Sequence, residues 1–307
     1  MPFISRHGSE VGAGGGIDVS VVLPVRDGAA HVGEQVSAVR AQVLDEPAEL
    51  VVVDDASTDG TADVVARAGQ GPGLPVRLVR GAGVGSYAAR QVGTEAATGS
   101  RLVFCDADDR VAPGWLAAHA AALRTAALST GPLDLGGLNG PAAVAGRDWT
   151  ADRRPHDGGF RPYALGANLG VRRDALERAG GWPVERRHGG DKVVCWRVQA
   201  AGHPLVWVPE ARVHVRLRGG LASTLRRQHR IGVAAPSLHA LFAAEGMGRD
   251  PAASVLRDWV WLGVEGVRLL AAPAGTAREA RRLRWARVAG RRSGRLRGSL
   301  VDRRLYL

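Results

Sequence analysis

The sequence predicts an α/β protein, a mostly parallel sheet flanked by helices and followed by a C-terminal helical extension. Two observations carry the fold class. Short apolar, β-branched runs alternate with amphipathic segments from Val19 to Leu123, as in a sheet covered on both faces. Arginine-rich segments without strand character then close the chain. A third observation concerns chemistry: acidic residues gather at the carboxyl ends of two of the apolar runs.

The elements follow in order. Val19–Pro24 (VSVVLP) reads as a buried strand, with a helix from about Ala29 to Val43. Glu49–Val53 is a second strand and Gly60–Ala68 a helix. Val76–Val79 is a third strand, with Tyr87–Ala97 helical after it. Arg101–Cys105 is a fourth, followed by a helix from Pro113 to Leu123, where proline suits the first helical turn. Residues 1–16, with the glycine run Gly12–Gly16, read as a flexible leader rather than a signal peptide.

Charge and cysteine usage narrow the setting. The formal net charge is +11, from 41 basic and 30 acidic residues, and only Lys192 among the basic ones is a lysine. From Ala274 to Leu307 there are 11 arginines against Glu279 and Asp302, so this segment carries +9 and leaves +2 for the rest. Cys105 and Cys195 belong to no CxxC pair, which points to a reducing compartment without a disulfide. The most membrane-like stretch, Trp259–Ala272, contains Glu265 and Arg268 and is shorter than the roughly 20 apolar residues that a span requires. A cytoplasmic protein is the expectation. Trp259, Leu262, Val267 and Leu270 fall near helical spacing, either packed on the core or presented to an interface.

In doubly wound sheets ligands bind beyond the carboxyl ends of the strands. There stand Pro24-Val25-Arg26-Asp27, Asp54-Asp55 with Ser57-Thr58-Asp59, and Asp106-Ala107-Asp108-Asp109. Ser57, Thr58 or Asp59 reads as a cap for the following helix. One cap cannot account for three carboxylates in four residues, which repel each other. A divalent cation with oxygen ligands, Mn²⁺ or Mg²⁺, explains that turn better.

These residues resemble the family 2 glycosyltransferases, which have the GT-A fold, a Rossmann-like sheet. The resemblance covers Asp18 to His214 through VSVVLPVRDG (Val19–Gly28), VVVDDASTDGT (Val51–Thr61), GVGSYAARQVGTEAATGSRLVFCDADD (Gly83–Asp109), ALGANLGVRRDALERAGGW (Ala164–Trp182) and GGDKVVCWRVQAAG (Gly189–Gly202). It implies a glycosyltransferase domain over residues 17–215, with a nucleotide-binding half at 17–125 and an acceptor half at 126–215. Residues 216–307 are then a basic helical extension.

The implied reaction is sugar transfer from a nucleotide-diphosphate sugar, most often a UDP-sugar, to an acceptor hydroxyl with inversion. Carried over, Pro24 and Val25 line the nucleotide pocket, Asp55 accepts a hydrogen bond from the base, and Arg90 faces the donor. Asp106 and Asp108 form the DxD motif that touches ribose and metal, with Asp109 as a secondary member. Asp191, in Gly189-Gly190-Asp191, is the general base that inversion needs. Many members carry an acid where Gly190 stands, and Gln91 replaces a usual asparagine. His214 matches a histidine that reaches metal or diphosphate in some GT-A enzymes, although a lone histidine between valines is more often structural. Asn168 would sit near the donor sugar or acceptor. Trp182 either closes the acceptor side or packs in the core.

The acceptor is a glycan, a lipid-linked or a small molecule. Its site is expected in the loop Gly140–Tyr163, where Trp149, Arg153, Arg154 and His156 are candidates. Processive members read Q-x-x-R-W where this chain has Gln228-His229-Arg230-Ile231, so a single addition is expected.

Other readings fit less well. Gly81-Ala82-Gly83-Val84-Gly85-Ser86 imitates a dinucleotide-binding turn of an NAD(P) oxidoreductase but lacks its third glycine. A nucleotidylyltransferase would have a basic, glycine-rich first loop. A nucleic-acid-binding protein would rest on the basic tail alone, which has no reading motif. No nucleic acid is expected as a partner. An anionic membrane surface is the partner that the basic tail fits.

Overall fold

The computed structural model describes residues 16–145, 156–157, 160–217, 219–303 and 305–306. The leader up to residue 15 and the acceptor-loop candidates Trp149, Arg153 and Arg154 lie outside the described residues. So does the side chain of His156.

The first half alternates as the sequence predicts. β1 (Val19–Val25) leads to α1 (Val32–Arg40), β2 (Ala48–Asp54) to α2 (Thr61–Ala68), β3 (Val76–Arg80) to α3 (Ser86–Ala96), and β4 (Arg101–Cys105) to β5 (Arg110–Val111) and α4 (Trp115–Ala122). The second half is more broken. It comprises β6 (Leu128–Thr130), β7 (Leu133–Asp134), α5 (Pro141–Ala145), β8 (His156–Asp157), β9 (Pro162–Tyr163), β10 (Asn168–Arg172), α6 (Arg173–Arg178), α7 (Gly190–Ala200), β11 (Leu205–Trp207) and β12 (Val213–His214). Among the described residues, α8 (Leu221–Val233), α9 (Ala235–Phe242), α10 (Ala252–Ala271) and α11 (Thr276–Val301) follow.

The main sheet has the order β11-β6-β10-β4-β1-β2-β3, and only β10 runs against the others. Its inner strands, β6, β10, β4, β1 and β2, are buried on both faces, so alternate residues enter two different cores. Val22, Val51, Val53 and Phe104 face the core under α3 and α7. Val21, Leu23, Leu50, Val52 and Val103 face the core under α1 and α4. A small sheet, β5-β12-β7, continues directly from the acidic turn after β4.

One polar cluster braces the second core. Asn168, at the start of β10, is fully buried. Its amide donates to the carbonyls of Pro132 (3.3 Å) and Ala211 (2.7 Å), and its Oδ1 accepts from Trp115 Nε1 at 2.9 Å. The same oxygen lies 2.9 Å from His119 Nε2, which places the imidazole proton on Nε2 and leaves Nδ1 to accept from Ser129 at 2.8 Å. The expectation that Asn168 reaches donor or acceptor is therefore not met. Its side-chain amide is spent on joining β10 to α4 and to two loops distant in sequence.

The basic segment is mostly one long helix rather than a loose tail. Gly290, Gly294 and Gly298, one turn apart on α11, meet the backbone of α8. A Cβ at Gly294 would stand 2.1 Å from the His229 carbonyl, and one at Gly298 would stand 2.4 Å from that of Val233. Gly232 of α8 returns the contact, since its Cβ would meet the Arg291 carbonyl at 2.4 Å. Among the described residues no helix is long and apolar enough to cross a membrane.

Burial pushes the His119 imidazole down from 6.5 to about 4. The folded protein keeps it neutral where the unfolded chain takes a proton. Its stabilising contribution is thus present above pH 6.5 and is lost as the pH falls toward 4. In urea unfolding across that window, the wild type should lose ~3 kcal/mol more than His119→Gln does. Equal losses would show that the imidazole is not buried neutral.

Candidate active site

The site is built where β1, β2 and β4 end. Asp55, just beyond β2, is only 3% exposed. Its Oδ1 accepts from Gly83 N at 2.7 Å and its Oδ2 from Gly85 N at 3.0 Å. The glycine-rich segment that imitates a dinucleotide turn therefore wraps a carboxylate of the same chain. Glycine is needed at this close approach: Gly83 and Gly85 have φ of +74° and +126°, and a Cβ at Gly81 would meet Asp55 Oδ1 at 2.8 Å. Arg26 at the end of β1 pins the segment by donating to Gly83 O at 2.7 Å.

Pro24 and Val25 are buried at the end of β1, and Val25 O accepts from Asp55 N at 2.8 Å. Of the three residues read from sequence as capping α2, Ser57 and Thr58 do not do so. Ser57 accepts from Asp27 N, Thr58 N donates to the Asp27 carboxylate, and only Asp59 accepts from the first helical N–H, that of Thr61. These contacts tie the β1 and β2 ends into one rim.

The acidic turn follows β4. Asp106, Asp108 and Asp109 each offer a carboxylate oxygen within 4.8 Å of the others. Two residues that sequence reasoning missed hold this turn. Gln35 of α1, fully buried, donates to Asp106 O at 2.9 Å and accepts from Val111 N at 3.0 Å, bracing the turn at both ends. Arg216, beyond β12, donates from its backbone to Asp109 Oδ1 (2.8 Å) and from its guanidinium to Asp108 O (3.1 Å). The same guanidinium pairs with Glu34 of α1 at 2.7 Å. Each contact spans many tens of residues, so no local pattern announces it.

α3 joins this turn to the other end of the site. Arg90, 4% exposed, forms an ion pair with Asp106. Its guanidinium lies 5.7 Å from the ring centre of Tyr87 and 5.4 Å from that of Trp182. Those two rings stack at 5.8 Å, and Trp182 also meets Phe104 edge-on. Trp182, 3% exposed, is thus part of the core. Gln91 accepts from Trp182 N at 3.0 Å, holding the Gly181–Trp182 turn in place.

Asp191 lies in the first turn of α7, behind Gly189 with φ +75°. Its Oδ1 accepts from Lys192 N at 3.0 Å and lies 3.4 Å from the Tyr87 hydroxyl. Burial and the nearby Asp191 charge push the Tyr87 phenol well above its usual range, so it stays protonated and able to donate. Gly190 explains why Tyr87 fits: a Cβ there would stand 2.8–2.9 Å from the tyrosine ring. The ring occupies the space into which an acid at position 190 would project.

His214 lies outside the three-aspartate group. Its Nδ1 is 2.8 Å from Asp134 Oδ2, an arrangement that directs the Nδ1 proton to the carboxylate and leaves Nε2 as an acceptor. The Gln228–Ile231 segment turns to α11 instead of the site, with His229 Nδ1 3.0 Å from Ser293 Oγ.

Residues 20–179 match the family model for glycosyl transferase family 2. The chain is 29% identical over 223 residues to glycosyltransferase AglE of Haloferax volcanii, covering 70% of this chain and 71% of that protein. Among solved structures it resembles the mannosyltransferase PcManGT of Pyrobaculum calidifontis, determined with GDP-Man and Mn²⁺. That match has a TM-score of 0.55 and 24% identity, and covers 88% of this chain and 86% of the other. It also resembles residues 1–349 of S. aureus TarS with UDP-GlcNAc, at a TM-score of 0.52 and 15% identity, covering 94% and 93% of the two chains. These structural likenesses establish a GT-A architecture.

The Tyr87–Gly190 contact yields a reciprocal test. Gly190→Ala should lower stability by ~1–3 kcal/mol through overpacking. Adding Tyr87→Ala should remove most of that penalty, read as a negative coupling in a double-mutant cycle of melts. Additive losses would mean that the two residues do not meet.

Proposed function

The chain belongs to glycosyl transferase family 2, and from that premise we propose an inverting, metal-dependent enzyme that moves one sugar from a UDP-sugar to an acceptor hydroxyl. One observation carries the reading. Arg90 and Tyr87, three residues apart on α3, touch Asp106 and Asp191, so the donor's acidic turn and the candidate base share one helix face.

Asp106, Asp108 and Asp109 suit a hard divalent cation, since all three supply carboxylate oxygens at close range. His214, whose Nδ1 faces Asp134, would add its Nε2 lone pair as a further ligand. Mn²⁺ or Mg²⁺ held there would offset the charge that develops on a nucleoside diphosphate leaving group. The protein's own contribution to the donor lies at the strand ends. Each Asp55 oxygen retains a lone pair beyond its loop amide, enough to accept the imide N–H of uracil.

Asp191 acts as the general base. Its Oδ1 is taken by the Lys192 amide and the Tyr87 hydroxyl, so Oδ2 receives the acceptor's proton. The acceptor oxygen then forms its bond to the anomeric carbon as the bond from that carbon to the diphosphate oxygen breaks. Attack opposite the leaving group inverts the centre. Transfer of a single sugar fits a Gln228–Ile231 segment that packs on α11.

The reading is tested with a panel of UDP- and GDP-sugars, scored by thermal shift in Mn²⁺ and by nucleoside diphosphate release. One UDP-sugar should raise the melting temperature, and Asp108→Ala should abolish that shift. Asp191→Asn should keep the shift and lower turnover by ~10²–10⁴-fold. A GDP-sugar that alone gives the shift would overturn the uridine assignment. Near-normal turnover in Asp191→Asn would overturn the base.

A further inference from the structure

α10 is amphipathic in an unusual sense: its inward side carries its acids and its outward side is apolar. At about 100° per residue, Trp259, Leu270, Leu256, Val267, Val260 and Val264 fall within an arc of about 140° along its whole length. All six are exposed, from 40% at Trp259 to 83% at Leu270. The opposite side faces α11. Leu262, grouped by sequence with the same stripe, is buried there, and its carbonyl accepts from Trp285 Nε1 at 3.0 Å.

Charge separates the two sides further. The two acids of α10, Asp258 and Glu265, point inward and are taken by Arg292 (2.7 Å) and Arg281 (2.7 Å) of α11. No acid remains on the outward stripe. Arg257 and Arg268, both exposed, run along one edge of it at the next positions around the helix. Trp259 marks the other edge.

A stripe of this length would be costly to leave in water. A second copy of the chain is a poor occupant, because an antiparallel two-fold contact would bring the Arg257 and Arg268 edges together, and any contact joins two chains of net charge +11. Apolar surface edged by arginine and tryptophan, with the acids turned away, matches the boundary between headgroups and acyl chains of an anionic bilayer. We propose that the outward face of α10 lies in the plane of an anionic lipid surface and holds the protein there. This goes beyond the transfer chemistry and does not depend on it. It also relocates the membrane affinity expected of the basic tail: several α11 arginines are engaged in holding α10, and α10 supplies the contact.

The test is co-sedimentation of the full chain with vesicles of phosphatidylglycerol and phosphatidylcholine, and with vesicles of phosphatidylcholine alone. The wild type should pellet with the anionic vesicles. Val260→Asp/Val267→Asp should stay in solution while keeping its circular dichroism spectrum and melting temperature. Arg257→Gln/Arg268→Gln should bind anionic vesicles about thirty-fold more weakly. The proposal is overturned if the wild type ignores both vesicles, or if the aspartate variant pellets like the wild type. It is also overturned if light scattering finds a wild-type dimer that the aspartate variant dissolves, since the face then belongs to a second copy.

Discussion

The buried guanidinium of Arg90 is the constraint on which the site rests. A cation this far from water is tolerated only with a partner, and its partner is Asp106, the first residue of the acidic turn. The guanidinium also lies close to the rings of Tyr87 and Trp182, so the charge helps order the aromatic stack whose tyrosine reaches Asp191. Gly166 closes the remaining side, where a Cβ would come within 2.8 Å of the guanidinium carbon. One side chain on α3 thereby links residues from both halves of the sequence.

Around that link, charge is handled by pairing rather than exposure. The acidic turn would repel itself if its backbone were free. Gln35 and Arg216 hold that backbone from opposite sides, and the Arg216 amide takes one oxygen of Asp109. The same logic governs the extension, where Asp258 and Glu265 are matched by arginines of α11. Glycines then do geometric work in both places. They let the loop at Gly81–Gly85 close on Asp55 and let α11 approach α8 to backbone contact.

Much of this was legible in the sequence because it is local. The first four strands, the helices between them and the acidic turn follow from alternation and spacing within short windows. The role of Asn168 was not, because its four partners come from Trp115, His119, Pro132 and Ala211. Gln35 and Arg216 carry no local signal for the same reason, each acting on a turn more than 70 residues away. Gly190 is a departure visible in sequence, but its meaning depends on Tyr87, 103 residues earlier on another helix. The missing third glycine sets the loop apart from a dinucleotide turn, but its occupant, Asp55, is visible only in three dimensions. The amphipathic character of α10 was legible, whereas which face turned outward depended on where α11 packs.

The central claim is that Arg90 couples the donor end of the site to the transfer end. It is tested most directly with Arg90→Lys, which keeps the charge and loses the planar fork, by measuring donor affinity and single-turnover transfer rate separately. Loss of a charged hydrogen bond of about 1.5–3 kcal/mol predicts that each falls by roughly tenfold or more. Wild-type affinity and rate in a protein that only melts at a lower temperature would contradict the claim and reduce Arg90 to a packing residue.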